Sequence, residues 1–108
     1  MIVVVNKFLL AKGFKGISLW PFVIVKDESC KNDVILINHE KIHLQQQAEL
    51  LVLVFYLWYG IEFLVRWFQL NNRKLAYCNI SFEKEAYENE LDIEYIKSRP
   101  RWNFMKYL

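Results

Sequence analysis

The chain's two histidines stand four residues apart, with a glutamate directly after the first, in His39-Glu40-Lys41-Ile42-His43. On a helix, residues i and i+4 lie one turn apart on a single face. Two imidazoles so placed can each offer a nitrogen to one zinc ion, at about 2.0–2.1 Å. Glu40 projects about 100° round the helix from His39, beside such an ion but off its ligand face. From there its carboxylate can take a proton from water activated by the metal, which is the division of labour in zinc-dependent peptide hydrolysis. The same five residues also suit an amphipathic helix with two ordinary half-buried histidines. A third ligand, and a frame that holds it, decides between the readings.

A hydrolytic zinc site keeps three protein ligands and one open position. No histidine remains, so the third ligand is a carboxylate or a thiolate. The stretch Ser81-Phe82-Glu83-Lys84-Glu85-Ala86-Tyr87-Glu88-Asn89-Glu90 offers carboxylates at helical spacing. Here the sequence resembles the zincin metallopeptidases, in their glutamate-zincin (gluzincin) branch. In that branch a downstream helix supplies a glutamate ligand, often as Glu-x-x-Ala or Glu-x-x-Ser followed by Asp. Glu83-Lys84-Glu85-Ala86 matches this form, while Tyr87 stands where the Asp that commonly orients a ligand histidine is expected.

The resemblance implies a zinc metallopeptidase that holds Zn2+ with His39, His43 and Glu83 and uses Glu40 as the catalytic base on a peptide or protein substrate. Glu85 is the alternative register; it and Glu83 point about 200° apart on a helix, so only one can face the metal. Tyr77, Tyr87 and Tyr95 are candidates, by type alone, for stabilising an oxyanion. In size the chain is similar to the minimal gluzincins, which carry a β-ribbon, a backing helix, an active-site helix and a glutamate helix. No backing helix is evident before the motif, and the apolar helix after it takes that role. In the minimal gluzincins a terminal segment can block the cleft; the resemblance leaves open whether Arg101–Leu108 does so here. The chain is also similar to small uncharacterised bacterial proteins with the same motif pair. The rival reading is a non-catalytic zinc-binding or membrane-associated interaction module with a hydrophobic contact helix.

The elements that must position these residues form an α+β domain: a short N-terminal β-ribbon and a mostly helical, zincin-like body with an active-site helix, a long apolar helix and a glutamate helix. Ile2-Val3-Val4-Val5 reads as a strand. Gly13 and Gly16 bracket a turn at 12–15, and residues 17–26 read as a second strand. Pro21 cannot donate to a ladder, so that strand is an edge or begins after it, and a peptide substrate could add alongside residues 22–26. Residues 27–33 read as a loop. Asn32 and Asp33 are N-cap candidates for a helix that meets no Pro or Gly before Gly60, where a kink or junction is expected. Gln45-Gln46-Gln47 reads as a solvated turn of it, although Gln46 and Gln47 share the histidine face. Leu50–Phe68 is apolar almost throughout, with Glu62 and Arg66 spaced to pair. A helix apolar all round must be buried on several sides, so a core position, a homodimer interface and a membrane contact compete. Ser81 reads as the N-cap of a last helix running from Phe82 to Ile96, which Pro100 stops. The basic and aromatic tail from Arg99 to Leu108 reads as a docked terminus.

A chain of 108 residues makes one domain, 1–108. Its hydrophobic fraction of 55% exceeds what so small an interior hides, so some apolar surface is expected to meet a partner or a membrane. A net charge of +2 argues against nucleic acid. Two cysteines and no convincing signal segment point to a cytoplasmic protein with free thiols.

Overall fold

Three four-residue strands open the fold: β1 (Ile2–Val5), β2 (Gly16–Leu19) and β3 (Phe22–Val25). The computed structural model describes residues 1–10 and 12–108. β-Branched side chains suit each strand because they pack on a pleated, half-covered surface. The strand expected over 17–26 is in fact two, reversed at Trp20-Pro21, whose peptide bond is cis. The sheet order is β1-β3-β2, with β1 parallel and β2 antiparallel to β3. The strand after Pro21 is therefore the central one. Both of its edges are occupied, so no substrate strand can add along residues 22–26.

One face of this sheet is covered by the helix that bears the histidines. Val23 and Val25 of β3 point inward and form a cluster with Cys30 and Leu44, with Val3, Leu36 and Ile37 packed against it. The segment 27–33, expected as a loop, contains a one-turn helix, α1 (Glu28–Lys31), capped by Asp27. Cys30 and Cys78 are both free thiols.

Helix α2 (Val34–Leu50) begins where Asp33 caps it, its carboxylate accepting from the amides of Ile35 and Leu36. It ends at Leu51, a leucine with φ of 61°, and α3 (Val52–Leu70) leaves at 110° to it. The break expected at Gly60 is thus nine residues early, and Gly60 lies inside α3. No glycine or proline marks the true junction. The reversal is held by packing: Leu50 and Phe55, on either side of it, enter one core with Ile80, Phe82 and Phe104. A continuous helix would carry Phe55 away from that core at about 1.5 Å per residue.

Of the core, interface and membrane positions that composition left open to α3, the first is not taken: the helix is not wrapped by core. Only Phe55 and Glu62 on it are buried, and its outer side is open. Glu62 does not pair with Arg66. Its carboxylate accepts from the Ser81 amide and hydroxyl and from the Trp58 indole. After α4 (Arg73–Cys78) comes α5 (Ser81–Asn89), whose N-cap position is Ile80 rather than Ser81. Glu62 supplies the capping oxygen that Ile80 lacks, from a different helix. The helix expected to reach Ile96 stops at Asn89, and a separate turn, α6 (Tyr95–Ser98), follows. The tail docks: Phe104 is fully buried against the second core, and Arg99 is sealed inside by Glu85 and Glu49.

No single helix is long and apolar enough to cross a membrane; α2 and α3 meet that test only as a bent pair.

Candidate metal centre

The residues that α2 buries are mostly polar: Asn38, His39, Glu40, His43, Gln46 and Gln47. Buried polar groups persist only where they are bonded, so each reports a built contact. Asn38 donates to the carbonyls of Glu90 and Asp92, at 2.8 and 3.1 Å, and ties the end of α5 to α2. Gln46 Nε2 donates to the Phe82 carbonyl near the start of α5. Gln47 holds β2 by donating to the Ser18 carbonyl and accepting from the Trp20 amide. Gln45 is exposed as expected, but Gln46 and Gln47 are clamps that fix α5 and β2 against the histidine helix.

Between the clamps, three donor atoms converge. His39 Nε2 and His43 Nε2 are 3.2 Å apart. Glu83 Oε1 lies 3.2 Å from the first and 3.1 Å from the second. A tetrahedral zinc with bonds of about 2.0–2.1 Å holds its ligand atoms about 3.3–3.4 Å apart, so this near-equilateral triangle has the edge that such an ion needs. Glu85, the alternative register, points the other way, where it accepts from Arg99, Tyr95 and Gln46.

The partners of these groups fix which atoms carry hydrogen. His39 Nδ1 is 2.7 Å from the Glu90 carboxylate, which only accepts, so Nδ1 carries the hydrogen and Nε2 presents a lone pair. His43 Nδ1 is 2.8 Å from Gln46 Oε1. That amide cannot be turned round, because its nitrogen already serves the Phe82 carbonyl and the Glu85 carboxylate. His43 Nε2 is then also an acceptor in the neutral ring. Glu83 Oε2 accepts from Tyr59 at 2.6 Å, leaving Oε1 to complete the triangle. Three acceptor lone pairs meeting in a buried place demand a cation.

A metal ion and a proton both meet that demand. Burial pushes the His43 pKa down, but the Glu83 carboxylate beside it more than offsets this and raises it to about 9. Burial opposes the charge on Glu83, yet the charge that His43 carries when protonated and the hydrogen bond from Tyr59 help to hold it well below the usual carboxylate range. Burial and the Glu83 charge push the Tyr59 phenol upward, so it remains a donor.

Glu40 stands apart from the triangle. Ligand-type atoms of His39, Glu40 and His43 lie within 4.8 Å of one another, so the Glu40 carboxylate borders the site. Its Oε2 is buried and, among the described residues, has no hydrogen-bond partner. Burial pushes its pKa up, against the opposing influence of the histidines. An unpartnered buried oxygen next to an acceptor cluster is costly unless something polar occupies the gap. The donor set and this oxygen together fit a metal with water beside it.

Of the three tyrosines suggested by type, Tyr87 packs edge-on to the His39 ring with centroids 4.5 Å apart, and Tyr77 lies beside Tyr87. Tyr95 is bonded to Glu85 and Asn103 in the tail network, away from the triangle. Tyr59, Gln46, Glu90 and Asn38 escaped the sequence reading as site residues. Only Gln46 carried a visible signal, its place on the histidine face. The tail segment from Arg101 to Leu108 meets α5 at Phe82, Lys84 and Asn89, and Trp102 meets Glu49. These contacts are on the side of α5 that carries Glu85. No protein-family profile matches the chain, and no curated protein or solved structure matches it.

Proposed function

We propose that the chain is a zinc-dependent peptidase of gluzincin type, with His39, His43 and Glu83 as ligands and Glu40 as the general base. What carries this reading is the triangle of acceptor atoms with edges of 3.1–3.2 Å, its tautomers set by Glu90 and Gln46. Bound zinc supplies Lewis acidity, polarising a carbonyl oxygen and making water acidic near neutral pH. The chain's own groups do the rest. Glu40, with one oxygen unpartnered, accepts the proton of the attacking water and can return it to the leaving amine. Its upward-shifted pKa makes it a better base than a solvated carboxylate. Tyr59 holds Glu83, Glu90 holds His39 and Gln46 holds His43, so each ligand is fixed before the metal arrives.

A second reading has its own support. The side chains of His39, Glu40, His43 and Glu83 belong to residues only 3–6% exposed. Of two open grooves on the surface, one lined by Lys31, Ile37, Asn38, Lys41 and Ile96 and one along α3, neither has any of these four residues in its lining. A closed zinc site of this kind suits a structural metal in a non-catalytic protein.

Metal analysis of purified protein, followed by digestion of a peptide library, separates the readings. A peptidase is expected to hold about one zinc per chain, lost in His39→Ala, and to cleave peptides in wild type but not in metal-loaded Glu40→Ala. Zinc without cleavage supports the structural site, and a folded wild type that takes up no zinc ends both.

A further inference from the structure

The outer face of α3 is neither core nor polar surface. Leu53, Val54, Leu57, Gly60, Ile61, Leu64, Val65, Trp67 and Phe68 fall within about 160° of the helix circumference, and no charged residue interrupts them. They are open to solvent: Leu53 is 82%, Leu57 64% and Phe68 92% exposed. Together they present on the order of 1,000 Å² of contiguous apolar surface, where a monomer ordinarily shows a few hundred. A stable dimer of standard size buries about 800 Å² on each partner, so the patch is large enough for one.

The pattern of the face identifies its occupant. A two-fold interface brings the same patch of both copies together, so an antiparallel pair of identical helices needs matching residues at equal distances from one point. Leu53 and Phe68, Val54 and Trp67, and Leu57 and Leu64 are each equidistant from the Gly60–Ile61 bond. At that point Gly60 has nothing among the described residues within 4 Å of where a Cβ would stand. The missing side chain lets a second helix approach closely, and Ile61 supplies the knob that fills the partner's gap. A shallow groove of about 410 Å³ runs beside the row, lined by Val54, Leu57, Trp58, Ile61, Val65 and Arg66, and can receive side chains from the facing helix.

A lipid surface fits less well. Helices that lie in a bilayer interface carry lysine or arginine along the border of the apolar face. Here the residues flanking the face on α3 are Tyr56, Trp58, Phe63 and Gln69. The cations near it, Arg66 in the groove lining and Arg73 over the Trp67 ring, stand toward its C-terminal end and form no row along the border.

We propose that the face of α3 centred on Gly60 and Ile61 is the contact surface of a homodimer in which two α3 helices cross antiparallel. The assembly is independent of the metal, and its test reads mass and geometry rather than activity. Sedimentation of the full chain at about 1–100 µM is expected to give twice the 13.1 kDa of one chain. Leu57→Glu is expected to give the single mass with unchanged circular dichroism. Gly60→Leu removes a helix-weakening glycine where the monomer has open space, so it is expected to keep or raise thermal stability while weakening dimerisation at least tenfold.

In a Cys78→Ser background, Ile61→Cys is expected to form an inter-chain disulfide on mild oxidation. Leu53→Cys, about 22 Å from its own copy across the axis, is expected to cross-link only when mixed with Phe68→Cys. A wild type that stays monomeric at 100 µM overturns the proposal, whether or not it floats with phosphatidylcholine–phosphatidylglycerol vesicles. So does a dimer that survives both Leu57→Glu and Gly60→Leu, or one in which Leu53→Cys cross-links by itself.

Discussion

Glu90 Oε2 lies 2.7 Å from His39 Nδ1, and so does the work that the sequence pattern left vacant at Tyr87. Glu90 follows the last residue of α5, seven residues after Glu83, where the chain leaves the helix and turns back toward α2. Asn38 holds that turn by its donation to the Glu90 carbonyl. A carboxylate behind a ligand histidine fixes the ring and raises its basicity, and its loss typically costs 10–100-fold in metal affinity. Glu90→Ala is therefore expected to weaken zinc binding by about 10–100-fold, and Glu90→Gln, which keeps an acceptor, by less. Competition with a chromophoric chelator measures both; equal affinities in all three proteins would remove Glu90 from the site.

How much of this was legible beforehand differs by element. The histidine pair and a cap at Asn32 or Asp33 follow from local spacing and were readable, the cap falling to Asp33. Spacing left Glu83 and Glu85 open, and only the resemblance favoured Glu83. The mixed α+β class was readable too, from β-branched runs followed by helical stretches. The turn at Leu51 was not, because no residue there prefers φ of 61° and the cause lies in a core assembled from residues 50–104. Glu62 looked like half of a surface pair because (i, i+4) spacing cannot reveal a partner nineteen residues away. The glutamines looked solvated because glutamine usually is, and their burial depends on α5 and β2 arriving from elsewhere. Tyr59 meets Glu83 across 24 residues of chain, a contact that no local pattern carries.

Glu62, too, acts at a distance along the chain. Its carboxylate satisfies the amide and hydroxyl of Ser81, at the start of the helix that carries Glu83. Glu62→Ala leaves a buried helix end without its acceptor and is expected to cost about 1–3 kcal/mol of stability, read as a lower urea midpoint. Zinc affinity should fall with it, since α5 loses the anchor that sets Glu83. Glu62→Gln, which retains one acceptor oxygen, should recover part of both. A loss of stability with zinc affinity unchanged would separate the cap from the site.

Acidity should act in opposite directions on the metal-free and metal-loaded chain. In the folded, metal-free protein His43 titrates near 9, against an ordinary value of 6.5. The group is charged in the folded state over a range where the unfolded chain is neutral. Its stabilising contribution is whole below pH 6.5 and is lost as pH rises toward 9. Zinc must displace the same proton, so zinc affinity should rise by about tenfold per pH unit through that window and then level off. Thermal melts from pH 6 to 9, with chelator and with zinc, test this directly. Metal-free melting temperatures should fall across the window while the shift produced by zinc grows. A zinc effect independent of pH would place the metal away from His43.

The tail is fastened by charge as well as by Phe104. Arg99, whose side chain is 1% exposed, donates to both oxygens of Glu85 and to Glu49. Burial pushes Glu85 toward its neutral form, but hydrogen bonds from Arg99, Tyr95 and Gln46 outweigh this and hold its pKa below the ordinary value. Its contribution is therefore present above that ordinary value and lost as acid takes the pH down through the folded one. Arg99→Met removes the cation and leaves two carboxylates facing each other without it, at an expected cost of about 3–5 kcal/mol at pH 7. Arg99→Lys should rescue little, because an ammonium cannot bridge both carboxylates as the guanidinium fork does. In Arg99→Met only Tyr95 and Gln46 remain as donors to Glu85, and burial beside the Glu49 carboxylate is expected to outweigh them, so that protonation of Glu85 relieves the strain. The stability gap between wild type and Arg99→Met should therefore narrow between pH 7 and pH 5. A gap of constant size across that range would mean that Arg99 acts through packing of its aliphatic stem and not through the carboxylates.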